Sequence, residues 1–244
     1  MRQQHLKLDS KKINNIISTF EKHYAEKSIN RKSSDILDTL IATKLSQNTT
    51  DKTSSIAFGN LKREFKNWDE LIGAPIGKIK NLIKVCGLAY SKSKDLKAMV
   101  KQIKNEKGKV NLDYLKKLSD EEVYKELTKF KGIGVKTASC VLVFSLGREV
   151  FPVDTHIHRV LNRLGIVKTK SAEETFESAK RLIPGNKKYF LHRAIIMFGR
   201  NICRANNPFC GSCFLYKNCS YENKNKGSIK STNTENNFLI LDGI

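Results

Sequence analysis

Residues 119–159 read SDEEVYKELTKFKGIGVKTASCVLVFSLGREVFPVDTHIHR. The pattern predicts a helix, a tight hairpin, a second helix, a short extended passage and a third helix. Ser119 with Glu122 three residues on forms a capping box that starts the first helix. Val123, Leu127 and Phe130 then recur at i, i+4 and i+7, one apolar helical face. The hairpin is Lys131-Gly132-Ile133-Gly134-Val135, whose two glycines allow positive φ and close approach of the backbone to another molecule. The second helix, Lys136 to Leu146, stops at Gly147, a natural residue for a helix end. A glycine hairpin that opens a helix turns backbone N–H groups outward, where the helix dipole favours an anion. Lys129, Lys131 and Lys136 add positive charge there, so phosphate is the natural candidate.

The rest of the chain repeats helical periodicity. Ser10 is expected to cap a helix with Ile13, Ile16, Ile17 and Phe20 on one face, and Ser33 or Ser34 to start another with Ile36, Leu37, Leu40 and Ile41. That helix runs into a polar stretch, Leu45-Ser46-Gln47-Asn48-Thr49-Thr50-Asp51. Further apolar faces are Ala57, Phe58, Leu61 and Phe65, then Ile76, Ile79, Leu82 and Ile83 closed by Gly87, then Leu96, Met99, Val100 and Ile103. Ser171 with Glu174 predicts a second capping box ahead of Phe176, Ala179 and Leu182. No period-2 run and no internal repeat is present, so the fold class is all-α.

The chain has 244 residues, enough for one domain or two small ones. Its 45 Lys and Arg against 24 Asp and Glu give a formal charge of +21, which implies a polyanionic partner and most simply nucleic acid. No apolar run reaches the length of a membrane span. The opening MRQQHLKLDSKK lacks the apolar core of a signal peptide, which predicts a cytoplasmic, reducing location. There, cysteines serve as ligands more readily than as disulfides. Four of the six lie in Cys203-x6-Cys210-x2-Cys213-x5-Cys219, a spacing that suits a tetrahedral zinc or a cubane iron–sulfur cluster. Cys86 and Cys140 fall on apolar faces and read as core.

Gly132-Ile133-Gly134-Val135-Lys136-Thr137-Ala138, followed by Val153-Asp154-Thr155-His156, resembles the helix-hairpin-helix DNA glycosylase superfamily. Within it, the chain is most similar to endonuclease III, over roughly residues 8–222. The resemblance implies two helical domains flanking a DNA groove: a six-helix barrel with the hairpin over residues 30–148, and a helical domain over 149–221 with which an N-terminal helix in 1–29 packs. Residues 222–244, rich in Asn, Lys and Ser, read as a disordered tail. The cysteine spacing after Gly199-Arg200 is similar to the family's [4Fe–4S] loop, so the resemblance favours the cluster over zinc. Arg204 and Lys217 then present positive charge to phosphate.

The same resemblance makes Lys136 the nucleophile. A cation in a helix's first turn opposes the dipole, and this placement, like burial beside Val135 and Cys140, lowers an ammonium pKa. At the ordinary pKa of about 10.4, only roughly one lysine in a few thousand is neutral at pH 7. Asp154 is a good N-cap for the helix carrying Ile157, Val160, Leu161 and Leu164. By the analogy it also activates the nucleophile and stabilises cationic character on the deoxyribose. His156 and His158, at i and i+2, lie on different helix faces and do not make a metal site, and His192 matches a histidine of the family pattern. The Gln47-Asn48 segment resembles the family's finger loop, in which one side chain fills the gap left by a flipped base. Lys131 stands where family members often have proline.

The implied activity is a bifunctional glycosylase and abasic-site lyase acting as a monomer on damaged pyrimidines in double-stranded DNA. The alternatives are an adenine-mismatch glycosylase, which usually lacks this lysine, an oxidised-guanine glycosylase, which typically lacks the cluster, and a non-enzymatic hairpin module. Gly132, Ile133, Gly134, Lys131, Gln47, Asn48 and Arg204 are the expected DNA contacts.

Overall fold

The computed structural model describes residues 2–24, 34–229 and 240–242, and no strand occurs among them. The chain divides into two compact units, Met1–Asn30 with Glu149–Asn237, and Arg31–Arg148 with Phe238–Ile244. No helix of the described residues is long and apolar enough to cross a membrane.

The second unit holds α2 (Ile36–Ser46), α3 (Asp51–Glu64), the single turn α4 (Glu70–Gly73), α5 (Ile76–Ile83), α6 (Ala89–Lys107), α7 (Asp120–Thr128) and α8 (Val135–Phe144). Two of these form its centre. Every residue of α2 from Ile36 to Leu45 except Asp38 is buried, and so is all of α8 from Thr137 to Phe144. A helix covered on nearly all sides is a core helix. α2 and α8 pack against each other, with the buried Ser145 hydroxyl bonding Thr39 Oγ1 at 2.8 Å. Asp35, rather than Ser33 or Ser34, caps α2: its carboxylate accepts the Asp38 N–H at 2.9 Å, and an acidic cap also suits the dipole. Ser34 instead donates its N–H to Phe144 O, and Ser33 lies outside the described residues.

The capping box at Ser119 forms in both directions. Ser119 Oγ accepts the Glu122 N–H, and the Glu122 carboxylate accepts the Ser119 N–H at 2.8 Å. α8 starts one residue earlier than expected and ends at Phe144, while Gly147, at φ +72, lets the Leu146 and Arg148 N–H groups reach back to Val141 and Leu142.

The first unit holds α1 (Arg2–Tyr24), α9 (Thr155–Arg163), α10 (Ala172–Leu182) and α11 (Gly185–Asn201). α1 runs straight through Ser10, so that serine is no cap. The residues before it, including Gln3, Leu6 and Lys7, are good helix formers, and nothing among them stops propagation. α1 packs on α11, where Phe20 meets Phe198 and Phe214 edge-on at 5.5 and 5.7 Å. Full burial of one such ring is worth about 1.5–3 kcal/mol. Phe214 lies between the third and fourth cysteines, so this aromatic cluster ties the N-terminal helix to the cysteine loop.

Ser171 makes half of the expected box. Its hydroxyl accepts the Glu174 N–H, but the Glu174 carboxylate reaches past it to the Lys170 N–H. Residues 222–229, expected to begin a disordered tail, are held instead by Lys224 Nζ on Cys219 O and the Gly211 N–H on Ser228 O. Ile240–Asp242 forms a 3-10 turn on α2 and α3 with Ile240 buried, and the rest of the expected tail lies outside the described residues. Replacing Ser119 by Ala removes the hydroxyl that accepts the Glu122 N–H and leaves only the backbone half of the box. Urea unfolding of Ser119→Ala is expected to show a loss of about 1 kcal/mol, with the slope of the transition unchanged.

Candidate active site and metal centre

Gly132, at φ +74, sits in the left-handed region that the hairpin needs. A Cβ there would also lie 2.1 Å from Lys44 Nζ, so a side chain at this position would have to displace that ammonium. Gly134 is different, with an ordinary extended backbone (φ −102, ψ −177) and open space where a Cβ would point. Inside the turn the Ile133 N–H bonds Phe130 O. Both hairpin carbonyls face the end of α2: Lys44 Nζ donates to Lys131 O at 3.1 Å, and Gln47 Nε2 to Gly132 O at 2.8 Å. Gln47 also reaches Thr137 Oγ1, at 3.3 Å. Lys136 follows in the first turn of α8, half-buried, with Cys140 fully buried one turn on. Val135, beside it, is itself 43% exposed.

Gln47 and Asn48, adjacent in sequence, are therefore in different circumstances. Gln47 has its amide committed to the hairpin. Asn48 is exposed at the loop tip in the left-handed conformation (φ +55), which asparagine tolerates well.

The sequence reading missed Leu88. This residue has φ +48 and is 63% exposed, the most exposed large apolar side chain among the described residues of its unit. For a branched aliphatic residue the left-handed region costs roughly 1–2 kcal/mol, and strain of this kind gathers at functional sites. Its only trace in the sequence is an apolar residue directly after the helix-ending Gly87.

One buried side chain holds both loops. Lys92, 4% exposed, donates to Leu45 O at 2.8 Å and Cys86 O at 2.9 Å, which fixes the backbone just before Gln47 and just before Leu88. Burial pushes its pKa down and, 3.7 Å away, pushes the Cys86 thiol up. Removing Lys92 leaves two buried carbonyls without their donor. Lys92→Met is expected to lower stability by about 2 kcal/mol or more, read as an earlier urea midpoint.

In the other unit, Asp154 caps α9. Its Oδ1 accepts the Ile157 N–H at 2.8 Å, and the half-buried carboxylate is thereby held in one orientation. His192, buried on α11, meets Pro152 O at 2.9 Å and so braces the extended segment leading to Asp154. The two histidines beyond it diverge: His156 Nδ1 meets Arg159 Nη2, whereas His158 Nδ1 meets Thr175 Oγ1 on α10.

α9 is in turn bound to the cysteine loop. Arg159 donates to Cys203 O and Gly199 O. Arg163 donates to Arg204 O, Ala205 O and, at 3.5 Å, to Cys203 Sγ. Arg204 is exposed, its guanidinium 4.1 Å from the centre of the Phe209 ring.

Cys203, Cys210, Cys213 and Cys219 are all unpaired thiols lining one cavity, with Arg163, Phe198 and Tyr216 among its walls. Burial raises the Cys203 thiol pKa and pushes that of Cys213 up to about 12, so thiolates there need a bound cation. No three His, Cys, Asp or Glu side chains among the described residues converge on a single ion. Four sulfurs around one zinc would stand about 3.8 Å apart, from a Zn–S bond of about 2.3 Å. In a cubane each sulfur binds a different iron, and four thiols lining one cavity supply the donor set that either group requires.

Residues 41–185 match the family model of the HhH-GPD superfamily base excision DNA repair proteins. A protein of Arabidopsis thaliana bearing a DNA glycosylase name is 42% identical over 69% of this chain, which spans 57% of that longer relative. Endonuclease III of Thermotoga maritima is 34% identical over 83% of this chain and 91% of its own, and that of Sulfolobus acidocaldarius 34% over 82% and 89%. Among solved structures, endonuclease III in a non-covalent DNA complex superposes with a TM-score of 0.75 at 25% identity, covering 86% of this chain and 95% of that one. The chain belongs to the HhH-GPD superfamily and, within it, to the endonuclease III family.

Proposed function

We propose that this protein excises oxidised or otherwise damaged pyrimidines from double-stranded DNA and then cuts the strand 3′ to the vacated sugar, with Lys136 as nucleophile and Asp154 as its assistant. The chain is a base-excision-repair DNA glycosylase and lyase of the endonuclease III family. What carries the residue assignment is Lys136 itself, half-buried in the first turn of the helix that the glycine hairpin opens.

In this mechanism the neutral Lys136 amine attacks C1′ of the damaged nucleotide as the bond to the base breaks, and the base leaves with the electron pair and takes up a proton. The C1′–O4′ bond then opens, O4′ gains a proton, and an iminium forms between C1′ and Nζ. Loss of a C2′ proton expels the 3′ phosphate, and hydrolysis of the iminium frees the lysine. Asp154, held by the Ile157 N–H, takes the proton from Lys136 and stabilises positive charge on the sugar. Swinging the base out of the duplex costs a few kcal/mol. Asn48 fills the gap, because the Gln47 amide is committed to the hairpin. The exposed Leu88 acts as an apolar wedge between base steps, the kind of residue that kinks a duplex.

Gly132, Ile133, Gly134 and Lys131 dock one phosphate and Arg204 another. Cys203, Cys210, Cys213 and Cys219 hold a [4Fe–4S] cluster, which when bound cross-links the loop that braces α9. The same reading has the protein work as a monomer in the cytoplasm.

Borohydride is expected to trap wild-type protein on abasic duplex and to give no adduct with Lys136→Gln; equal trapping would remove Lys136 from the mechanism. Asp154→Asn should bind the same duplex while turning over at least about a hundredfold more slowly, the low end for loss of a general base. A lesion panel of damaged pyrimidines, mismatched adenine and oxidised guanine should show cleavage of the first class. For the metal, protein purified without oxygen should be yellow-brown, with about four irons and matching sulfide per chain. One zinc and no iron in active protein would overturn the cluster.

A further inference from the structure

Lys44 stands out among the cations of the chain. It is 4% exposed at the end of α2, and its ammonium lies under the hairpin. It donates to Lys131 O at 3.1 Å and pairs with Asp95 Oδ2 of α6 at 3.0 Å. Asp95 is itself largely covered, with Lys131 Nζ 3.7 Å from its other oxygen. A planar trans peptide sets its C=O and N–H on opposite sides. With Lys131 O drawn inward onto Lys44, the Gly132 N–H of the same peptide must point outward.

We propose that the Lys44–Asp95 pair is the device that orients this peptide, so that the Gly132 N–H faces the DNA phosphate. Lys44 is thus a positioning residue for substrate binding, acting through the backbone without touching DNA. A buried ammonium suits the task because Asp95 fixes its place while further N–H donors serve the carbonyl. The proposal rests on the hairpin being a phosphate anchor, and the test separates the two.

The measurement is affinity for undamaged duplex as a function of salt, where each lost phosphate contact flattens the log–log slope by about 0.9. Lys44→Met, checked for wild-type circular dichroism, is expected to bind about tenfold more weakly at moderate salt with a slope flatter by about one contact. Turnover at saturating abasic duplex should stay within about twofold of wild type, so that the loss falls on KM and not on kcat. A variant that is merely less stable would not change its salt slope.

Asp95→Asn, which keeps an acceptor for Lys44 but removes the charge, should shift affinity and slope in the same direction by less. It decides the matter if Lys44→Met does not fold. Gly134→Ala is the control, since its Cβ enters open space where phosphate would sit. A flattened slope in Gly134→Ala with wild-type slopes in Lys44→Met or Asp95→Asn would overturn the role of the pair and leave the hairpin's intact. Wild-type slopes in all three would remove both. A fall in kcat with unchanged slope would also overturn it.

Discussion

A carbonyl pulled to one side of a turn sends the adjoining N–H to the other, because the peptide plane does not bend. At Lys131–Gly132 the inward pull comes from Lys44; Gln47, also at the end of α2, takes the next carbonyl, while the Ile133 N–H across that peptide closes the turn on Phe130 O. Much of the second unit serves this arrangement. α2 is buried on nearly every side, α8 packs along it, and α6 supplies both Asp95, which neutralises Lys44, and Lys92, which fixes the backbone between Lys44 and Gln47. The hairpin, the finger loop and the Leu88 loop are consequently tied to one helix end. A shift of that end would move all three together.

Two buried ammonium groups this close to a core are costly unless each is paired or hydrogen-bonded. Lys44 has a carboxylate and a carbonyl. Lys92 has two carbonyls and a thiol, and burial lowers its pKa. Removing either ammonium would leave its buried acceptors unpaired, so each cation holds the local geometry and the stability that goes with it. The left-handed Leu88 belongs to the same trade, since local strain and an exposed apolar side chain are tolerated where the loop beneath is firmly held.

The first unit follows a parallel logic around α9. Its N-terminus is capped by Asp154 and approached through a segment that His192 holds at Pro152. Along the helix, Arg159 and Arg163 bind the backbone of the cysteine loop. Whatever closes the four thiols therefore stiffens the helix that presents Asp154. The aromatic cluster of Phe20, Phe198 and Phe214 joins the same loop to α1.

Local chemistry was legible in the sequence. Helical periodicity gave the all-α class, and the Ser119 box, the Gly147 end and the Asp154 cap could be read because each depends on residues within a few positions of one another. The cysteine spacing and the glycine hairpin were visible for the same reason. Caps chosen among near-equivalent neighbours, such as Ser10 or Ser34 against Asp35, were not. Helix propagation and long-range pairing such as Ser34 with Phe144 outweigh a single side chain. Nothing within reach of Lys44, Lys92 or Gln47 in the chain indicates burial under a hairpin 85 residues away from Gln47, or a clamp 47 residues from Lys92 to Leu45. Their partners are backbone carbonyls, which carry no sequence signal. Tertiary packing alone separated Gln47 from Asn48, gave Leu88 its exposed, strained position, and turned an ordinary-looking lysine of α2 into the support of the hairpin.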